Sequence, residues 1–328
     1  MSERQMKGVV LSGTGGVWRV QREDGVILEA SLRGRVKKSN AGRRPDGSLR
    51  RDTVESAAET LKLAVGDHVV LEQEEQSPTA AISEILPRTS RLARRAPGGG
   101  QGERILAANV DQVVVVFAAA NPDPHPRMLD RFLVIVEAND LVARIVINKV
   151  ELTGGRTVEQ ERWRDYEQAG YHVHYTSVKE REGLDELHDA LADKVSVLTG
   201  PSGVGKSSLL NAMFPGLELR IGEISESVNK GRHTTVGAYL HPLPGGGYVA
   251  DTPGLREVGM WALLPTELDQ CYPELRAHRD ECRFADCTHR VEPDCAVRAA
   301  VERGEVSRRR YESYVKLRSE LEASAPAW

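Results

Sequence analysis

The sequence of 328 residues lacks a long apolar run, and this absence excludes a protein that spans a membrane with helices. Its most apolar stretch, residues 113–120, is far shorter than the roughly 20 apolar residues that a spanning helix needs. The first six residues are polar and contain no apolar core of a secretory signal. We therefore expect a cytoplasmic protein without a membrane partner.

A large net charge is also missing, since 44 Lys and Arg face 48 Asp and Glu and give a formal net charge of −4. Such a chain has no overall attraction to nucleic acid, so any contact with a polyanion must come from local basic patches. Cysteine is scarce as well, with four in the chain, and three of them fall between residues 282 and 295. In a reducing compartment this clustering favours metal binding over disulfide bonds.

The chain is organised around a glycine-rich stretch that follows an apolar run, residues 195–198, and precedes a helix-like run, residues 208–213. Strand, G-x-x-x-x-G-K-S and helix form the setting of a phosphate-binding loop, whereas a glycine-rich surface loop would need neither flank. The glycines let backbone N–H groups approach phosphate, Lys206 can reach the β- and γ-phosphates, and the Ser207 hydroxyl can ligate Mg²⁺. The predicted phosphate-site residues are Gly200, Pro201, Ser202, Gly203, Val204, Gly205, Lys206, Ser207 and Ser208.

The part of the chain before residue 87 predicts a small barrel. Short β-like runs are separated by turn residues, which is typical of an OB-fold. The runs cover residues 8–11, 17–21, 26–30, 69–72 and 80–86. A basic segment, residues 33–51, could lie along an RNA backbone or form a solvated loop, and charge alone does not decide between them. A second basic segment, residues 88–95, is interpreted as part of a linker.

From residue 113 to residue 250, β-like and helix-like runs alternate, which predicts a doubly wound parallel sheet with ligand sites at strand ends. Three further elements at predicted strand ends narrow the phosphate loop to a GTPase. Residues 251–254 match D-x-x-G, in which Asp251 holds Mg²⁺ through water and the Gly254 N–H reaches the γ-phosphate. Asn148 and Lys149 resemble the base-reading N-K-x-D element. Thr176 and Ser177 are placed to back the guanine.

A compact cysteine and histidine cluster near the end of the chain predicts a zinc site. Its four members, Cys282, Cys287, His289 and Cys295, can close a tetrahedral shell, and a closed shell indicates a structural role. Free cysteines beside an exposed histidine are the alternative, which the spacing disfavours. Cys271 lies outside the pattern and stays unassigned.

The base-reading elements precede the phosphate loop, whereas they follow it in ordinary small GTPases. A circular permutation gives this order without moving any element in space. This order, the string Gly-Arg-His-Thr-Thr at residues 231–235 and the cysteine pattern together carry a resemblance to a known family. The chain resembles the RsgA (YjeQ) family of circularly permuted GTPases over nearly its whole length. These are biogenesis factors of the small ribosomal subunit.

The resemblance implies a multidomain fold: an N-terminal OB-fold β-barrel with a basic linker (residues 1–96), a central circularly permuted α/β P-loop GTPase domain (97–260) and a C-terminal, mainly helical zinc-binding domain (261–328). It implies one structural Zn²⁺ per chain and Mg²⁺ bound with GTP or GDP. It also implies GTP hydrolysis that the small ribosomal subunit stimulates, with binding to its rRNA in the GTP state and release on hydrolysis. Nothing in the sequence indicates oligomerisation, so we expect a monomer.

Two departures from common GTPase motifs affect the chemistry. Leu255 occupies the position where Ras-type enzymes have a water-orienting Gln, so the isolated protein should be slow or should use another group. His233, in the predicted switch segment 222–236, is the candidate, and the resemblance implies that it places the attacking water once the ribosome orders that segment. It could instead be an ordinary polar loop residue. Thr235 is predicted to give Mg²⁺ a second hydroxyl, with Thr234 as the alternative, and Lys206 completes the catalytic set.

The other departure is Glu151, which stands where N-K-x-D has Asp. The Asp carboxylate accepts hydrogen bonds from guanine N1 and N2, and Glu adds one methylene, so either the loop adjusts or guanine selectivity falls. We favour GTP. An ATP-using enzyme on RNA, permitted by Glu151, and a nucleotide-dependent RNA-binding module without meaningful hydrolysis, permitted by Leu255, are the alternatives.

A final helix is predicted over residues 305–321. Its tyrosines and leucines form an apolar face for docking, and its basic residues could meet rRNA phosphates or form a solvated face. These basic residues are Arg308, Arg309, Arg310, Lys316 and Arg318.

Overall fold

The structure is a computed structural model, and it describes residues 4–38, 63–73, 79–95, 103–217, 239–251 and 263–324. Its strands are β1 Arg4–Thr14, β2 Val17–Arg22, β3 Ile27–Lys38, β4 His68–Gln73, β5 Ala80–Ile85, β6 Arg91–Arg95, β7 Glu103–Ala108, β8 Gln112–Ala118, β9 Val142–Asn148, β10 His172–Thr176, β11 Val195–Thr199, β12 Tyr239–Pro242 and β13 Tyr248–Asp251. Its α-helices are α1 Pro126–Glu137, α2 Arg156–Gln168, α3 Leu184–Leu191, α4 Lys206–Met213, α5 Pro273–Arg279, α6 Ala296–Arg303 and α7 Arg308–Ser324. Two 3₁₀-helices cover Val150–Leu152 and Pro265–Cys271.

The five N-terminal strands close into a barrel in the order β1-β2-β3-β5-β4, which confirms the predicted small barrel. The pairs are antiparallel except for β3 with β5. Alternate residues of the strands point inward, because successive side chains of a strand face opposite sides. The barrel core includes Val10, Val20, Val69, Leu71 and Ile82. Residues 39–62, which include part of the predicted basic loop, lie outside the described residues.

The predicted linker contains a strand. β6 pairs with β7 as an antiparallel ribbon, because Leu92 and Ala107 are apolar and pack into the same core as the central sheet. The buried Asn109 joins this ribbon to the barrel, since its Nδ2 donates to the Gly66 carbonyl at 2.9 Å and its Oδ1 accepts from the Thr89 N–H at 2.9 Å. The barrel and the central sheet are therefore connected by a folded junction.

The central sheet has the order β10-β9-β8-β11-β13-β12. Its pairs are parallel except for the edge strand β12, which is antiparallel to β13. The central strand β8 is buried along its whole length, as its apolar sequence predicts. Residues of α1 and α2 pack in one apolar cluster and residues of α3 and α4 in another, on opposite faces. The doubly wound α/β domain is confirmed.

The C-terminal region is helical, and its core is continuous with the central domain. Leu268 and Leu275 pack with residues of α6 and α7, and Val134 of α1 belongs to the same cluster. Among the described residues, no helix is both long and apolar enough to cross a membrane.

The prediction that all basic residues of α7 could meet RNA phosphates is wrong for two of them. Arg310 is buried and bonds to Asp130 and Glu274, with 2.7 Å between Arg310 Nε and a Glu274 carboxylate oxygen. Arg318 is buried and donates to the Pro265 carbonyl at 2.8 Å and to the Tyr314 hydroxyl at 3.1 Å. Both lie on the helix face that docks, because residues three and four apart share a face. Arg308 and Lys316 are exposed.

Candidate functional site

The phosphate loop lies between the end of β11 and the start of α4. Gly200 and Gly205 have φ of +132° and +96°, a region that side chains disfavour. A Cβ at Gly200 would collide with the Val116 carbonyl of the neighbouring strand, and one at Gly205 would collide with the Asn148 amide. These two positions therefore require glycine, and they set the loop close against β8 and β9.

Lys206 lies inside the curve of this loop, at the first residue of α4. Its ammonium donates to the carbonyl oxygens of Gly200 at 2.9 Å and of Pro201 at 2.7 Å, and the side chain is largely buried. Ser207 follows it and is also buried. The N-terminus of a helix carries free N–H groups and a partial positive charge. The loop, the ammonium and the helix end together form an anion-binding site.

Asn148 connects the phosphate loop to the predicted base-reading region. It is the last residue of β9 and pairs in register with Thr176, the last residue of β10. The Asn148 Nδ2 donates to the Val204 carbonyl at 2.9 Å, and its Oδ1 accepts from the Thr176 hydroxyl at 3.1 Å. One buried side chain thus fixes the phosphate loop against the two strands that carry the predicted base-reading residues.

Lys149 makes a second connection. It has a left-handed φ of 62°, and its ammonium donates to the Gly203 carbonyl at 2.7 Å and to the Asn121 carbonyl. Ser177 is fully buried, and its backbone exchanges two hydrogen bonds of 3.0 Å with Glu182. The Ser177 Oγ also accepts from the Glu180 N–H at 3.0 Å. These bonds close the loop after β10 on itself, directly after Thr176, which pairs with the last residue of β9.

Glu151 lies in the 3₁₀-helix Val150–Leu152 directly after these residues. Its Oε2 is shielded from solvent and has no hydrogen-bond partner among the residues that the structure describes. A carboxylate oxygen that has lost water without gaining a donor is destabilised. A ligand with N–H groups on one edge, such as guanine, would satisfy it.

The remaining predicted nucleotide residues fall partly outside the described ranges. Asp251 ends β13, and its backbone pairs with Leu198 of β11, so β13 ends beside the strand that leads into the phosphate loop. Gly254, Leu255, His233 and the two threonines at 234 and 235 lie outside the described residues, so their roles remain predictions.

The predicted metal ligands come together. The ligand atoms of Cys282, Cys287, His289 and Cys295 all lie within 4.8 Å of one another. His289 Nδ1 is 3.5 Å from the sulfurs of Cys282 and Cys295, which are 3.9 Å apart. Zn–S bonds of about 2.3 Å and Zn–N bonds of about 2.0 Å in a tetrahedron give similar ligand separations, so these residues fit zinc.

The comparisons with known proteins decide the family. A family model described as RsgA GTPase matches residues 85–261, more than half of the chain. The chain belongs to the RsgA GTPase family. It is accordingly a GTP hydrolase, and the alternatives of an ATP-using enzyme and of a binding module without hydrolysis lose their support.

Relatives within this family extend over nearly the full chain. The small ribosomal subunit biogenesis GTPase RsgA of Gemmatimonas aurantiaca is 58% identical over 315 residues, covering 96% of this chain and 97% of the relative. The protein of the same name from Halalkalibacterium halodurans is 40% identical, with coverage of 96% and 97%.

Two solved structures are similar along the whole length. YjeQ from Thermotoga maritima has a TM-score of 0.75 and 33% identity, and the match covers 97% of this chain and 99% of YjeQ. YloQ, described as a circularly permuted GTPase, has a TM-score of 0.74 and 31% identity, with coverage of 99% and 98%. The permuted order of this RsgA-family chain is confirmed, since β9 and β10, which carry the predicted base-reading residues, precede β11 in sequence but share its sheet.

Sequence reasoning missed one residue that contacts the predicted metal ligands of this RsgA-family chain. Asp269 Oδ2 lies 3.3 Å from His289 Nε2, on the side of the ring that faces away from the thiols. The separation of 20 residues between them gives no spacing pattern that would indicate this contact. It also missed how α7 supports the metal loop, where the Tyr311 hydroxyl donates to the His289 carbonyl at 2.8 Å.

Proposed function

We propose that this GTPase acts in late maturation of the small ribosomal subunit, binds its rRNA in the GTP state and is released on hydrolysis. The observation that carries the proposal is the 58% identity to a small ribosomal subunit biogenesis GTPase across 96% of this chain. That coverage includes the barrel and the Cys₃His cluster as well as the GTPase domain. We also propose that the protein is a cytoplasmic monomer with domains at residues 1–96, 97–260 and 261–328.

The nucleotide site divides into a phosphate part and a base part. The backbone of residues 200–208 and the Lys206 ammonium bind the phosphates, and the hydroxyls of Ser207 and Thr235, with the Asp251 carboxylate, would hold Mg²⁺. When bound, Mg²⁺ neutralises the charge that develops on the phosphate oxygens. Gly254 donates its N–H to the γ-phosphate.

Guanine is read at the ends of β9 and β10. Asn148 and Lys149 position this region through their bonds to the phosphate loop. Thr176 and Ser177 back the base, and Glu151 accepts from its N–H edge. The Glu151 carboxylate oxygen that is shielded from solvent and unpaired among the described residues supports this role, because pairing it with a donor recovers the free energy lost on burial.

Catalysis requires a group that orients the attacking water, because Leu255 has no donor or acceptor. We assign this role to His233. The zinc ligands Cys282, Cys287, His289 and Cys295 form a structural centre, in which bound Zn²⁺ crosslinks the loop before α6.

Phosphate release from GTP tests the proposal, measured with and without purified small ribosomal subunits and with ATP in parallel. We expect a large stimulation by subunits with GTP alone, and loss of this stimulation in His233→Ala. Equal rates with and without subunits would contradict the ribosomal role. Stimulated turnover that is unchanged in His233→Ala would contradict only the assignment of that residue.

A further inference from the structure

Asp269 is a buried carboxylate that contacts a zinc ligand without belonging to the ligand set. Its Oδ2 lies 3.3 Å from His289 Nε2 and 3.1 Å from Arg279 Nε. The side chains of His289 and Asp269 are only 1% and 6% exposed, so water competes little for this contact. The carboxylate is thus held between the ligand ring and a guanidinium.

The orientation of the His289 ring indicates the role of this contact. His289 Nδ1 is the nitrogen that faces the thiols, at 3.5 Å from Cys282 Sγ and from Cys295 Sγ. A metal-bound imidazole is neutral and uses the lone pair of one nitrogen, so Nε2 must carry the ring proton. Asp269 is placed to accept that proton's hydrogen bond, which fixes the tautomer and the rotation of the ring.

Asp269 also belongs to an element that touches the GTPase domain. It lies in the 3₁₀-helix Pro265–Cys271, and its neighbour Leu268 is buried in the same apolar cluster as Val134 of α1. Adjacent residues of this short helix therefore contact a zinc ligand, through Asp269, and belong to the apolar cluster that includes α1 of the GTPase domain, through Leu268.

We propose that Asp269 is a positioning residue of the zinc centre, which holds His289 with Nδ1 toward the metal and links metal loading to the helix Pro265–Cys271. This inference rests on the zinc binding proposed above. Asp269 thereby connects the zinc centre to α1 of the GTPase domain through the helix Pro265–Cys271, in addition to the loop that carries the ligands.

The first test is the zinc affinity of the full-length protein, measured by competition with a chromophoric chelator. Asp269→Asn keeps the size of the side chain and removes its charge, and we expect it to raise the zinc dissociation constant about 10–100-fold. Asp294→Asn is the matched control, because Asp294 precedes the ligand Cys295 but pairs with Arg283 in solvent. We expect the control to stay within about twofold of wild type, as exposed ion pairs contribute little.

Each outcome of this test has a separate meaning. Asp269→Asn keeps one oxygen that can accept from His289 Nε2, so Asp269→Ala is measured beside it, and wild-type affinity in both variants would overturn the positioning role. Failure of the wild type itself to bind zinc would overturn the metal centre instead. If Asp269→Asn does not fold, Arg279→Gln replaces it in the test. Arg279 is partly exposed, and its replacement by Gln removes the ion pair that helps to hold the Asp269 carboxylate in place. Arg279→Gln should weaken zinc binding more than Asp294→Asn, and equal affinities would contradict the proposal.

Amide hydrogen exchange tests the link to the helix with a readout that does not depend on activity. Zinc loading should slow exchange over residues 265–271 in the wild type. At saturating zinc, Asp269→Asn should show much less of this protection, while residues around the thiol ligands stay protected. Equal protection of residues 265–271 in both proteins would show that the helix does not sense the metal through Asp269.

Discussion

Replacing Arg310 by Met should destabilise the contact between the C-terminal region and the GTPase domain. Arg310 is 1% exposed and bonds Glu274 of its own region and Asp130 of α1. Its guanidinium also lies over the Tyr272 ring, 4.6 Å from the centroid. The Asp130 carboxylate accepts from the Tyr166 hydroxyl at 2.9 Å, which extends the cluster to α2.

The size of the effect follows from the two carboxylates that the variant leaves behind. Removing one partner of a buried ion pair costs about 3–5 kcal/mol, because the remaining charge stays desolvated. Replacing all the charges costs far less, since the desolvation penalty disappears with them. Arg310→Met combined with Asp130→Asn and Glu274→Gln should therefore recover more than half of the loss.

Urea unfolding followed by circular dichroism measures both variants. A slope of about 1–3 kcal/mol per molar urea converts the expected loss into a midpoint lowered by about 1 M or more. Arg308→Met is the control, since Arg308 is exposed on the same helix and surface changes cost within about 0.5 kcal/mol. An Arg310→Met midpoint equal to that of Arg308→Met would refute the reasoning, as would a triple variant no more stable than the single one.

Three further predictions concern the nucleotide site and the sheet. Glu151→Gln should weaken GTP binding about 10–100-fold in a titration, because it removes a hydrogen bond to a charged group, and should leave ATP binding unchanged. Glu161→Gln is the control, since Glu161 is exposed. Lys206→Ala should lose GTP binding in the same titration while circular dichroism shows that the protein remains folded, and retained binding would contradict the phosphate site. Burial and the charge of Arg144 lower the pKa of His174 to about 4. The unfolded chain then binds more protons below about pH 6.5, so the free energy of unfolding should fall as pH drops from 6.5 toward 4. His174→Gln should show a smaller fall over that range, and an identical pH profile would contradict the pKa assignment.

Local patterns in the sequence were sufficient for much of this protein. The phosphate loop could be predicted because its glycines, lysine and serine lie in one short stretch of sequence, so the shape of the loop depends on its own backbone. The Cys₃His cluster could be predicted for the same reason, since 14 residues contain all four of its members. Periodicity also predicted the barrel strands and the helices, because burial on one face leaves a period of 2.0 or 3.6 residues. The strands of the central sheet were predicted from continuous apolar runs instead, since a strand buried on both faces does not alternate.

Only the tertiary structure decided what covers each face. The pattern of α7 places Arg310 and Arg318 on the same face as its tyrosines and leucines. It does not say that Arg310 meets carboxylates of α1 and α5, or that Arg318 meets the Pro265 carbonyl. The strand in the predicted linker and the contact of Asp269 with His289 depend likewise on segments far apart in sequence. Periodicity indicates that a side chain is buried. Its partner depends on which distant segment of the chain packs against it, and the pattern of a single sequence does not contain that information.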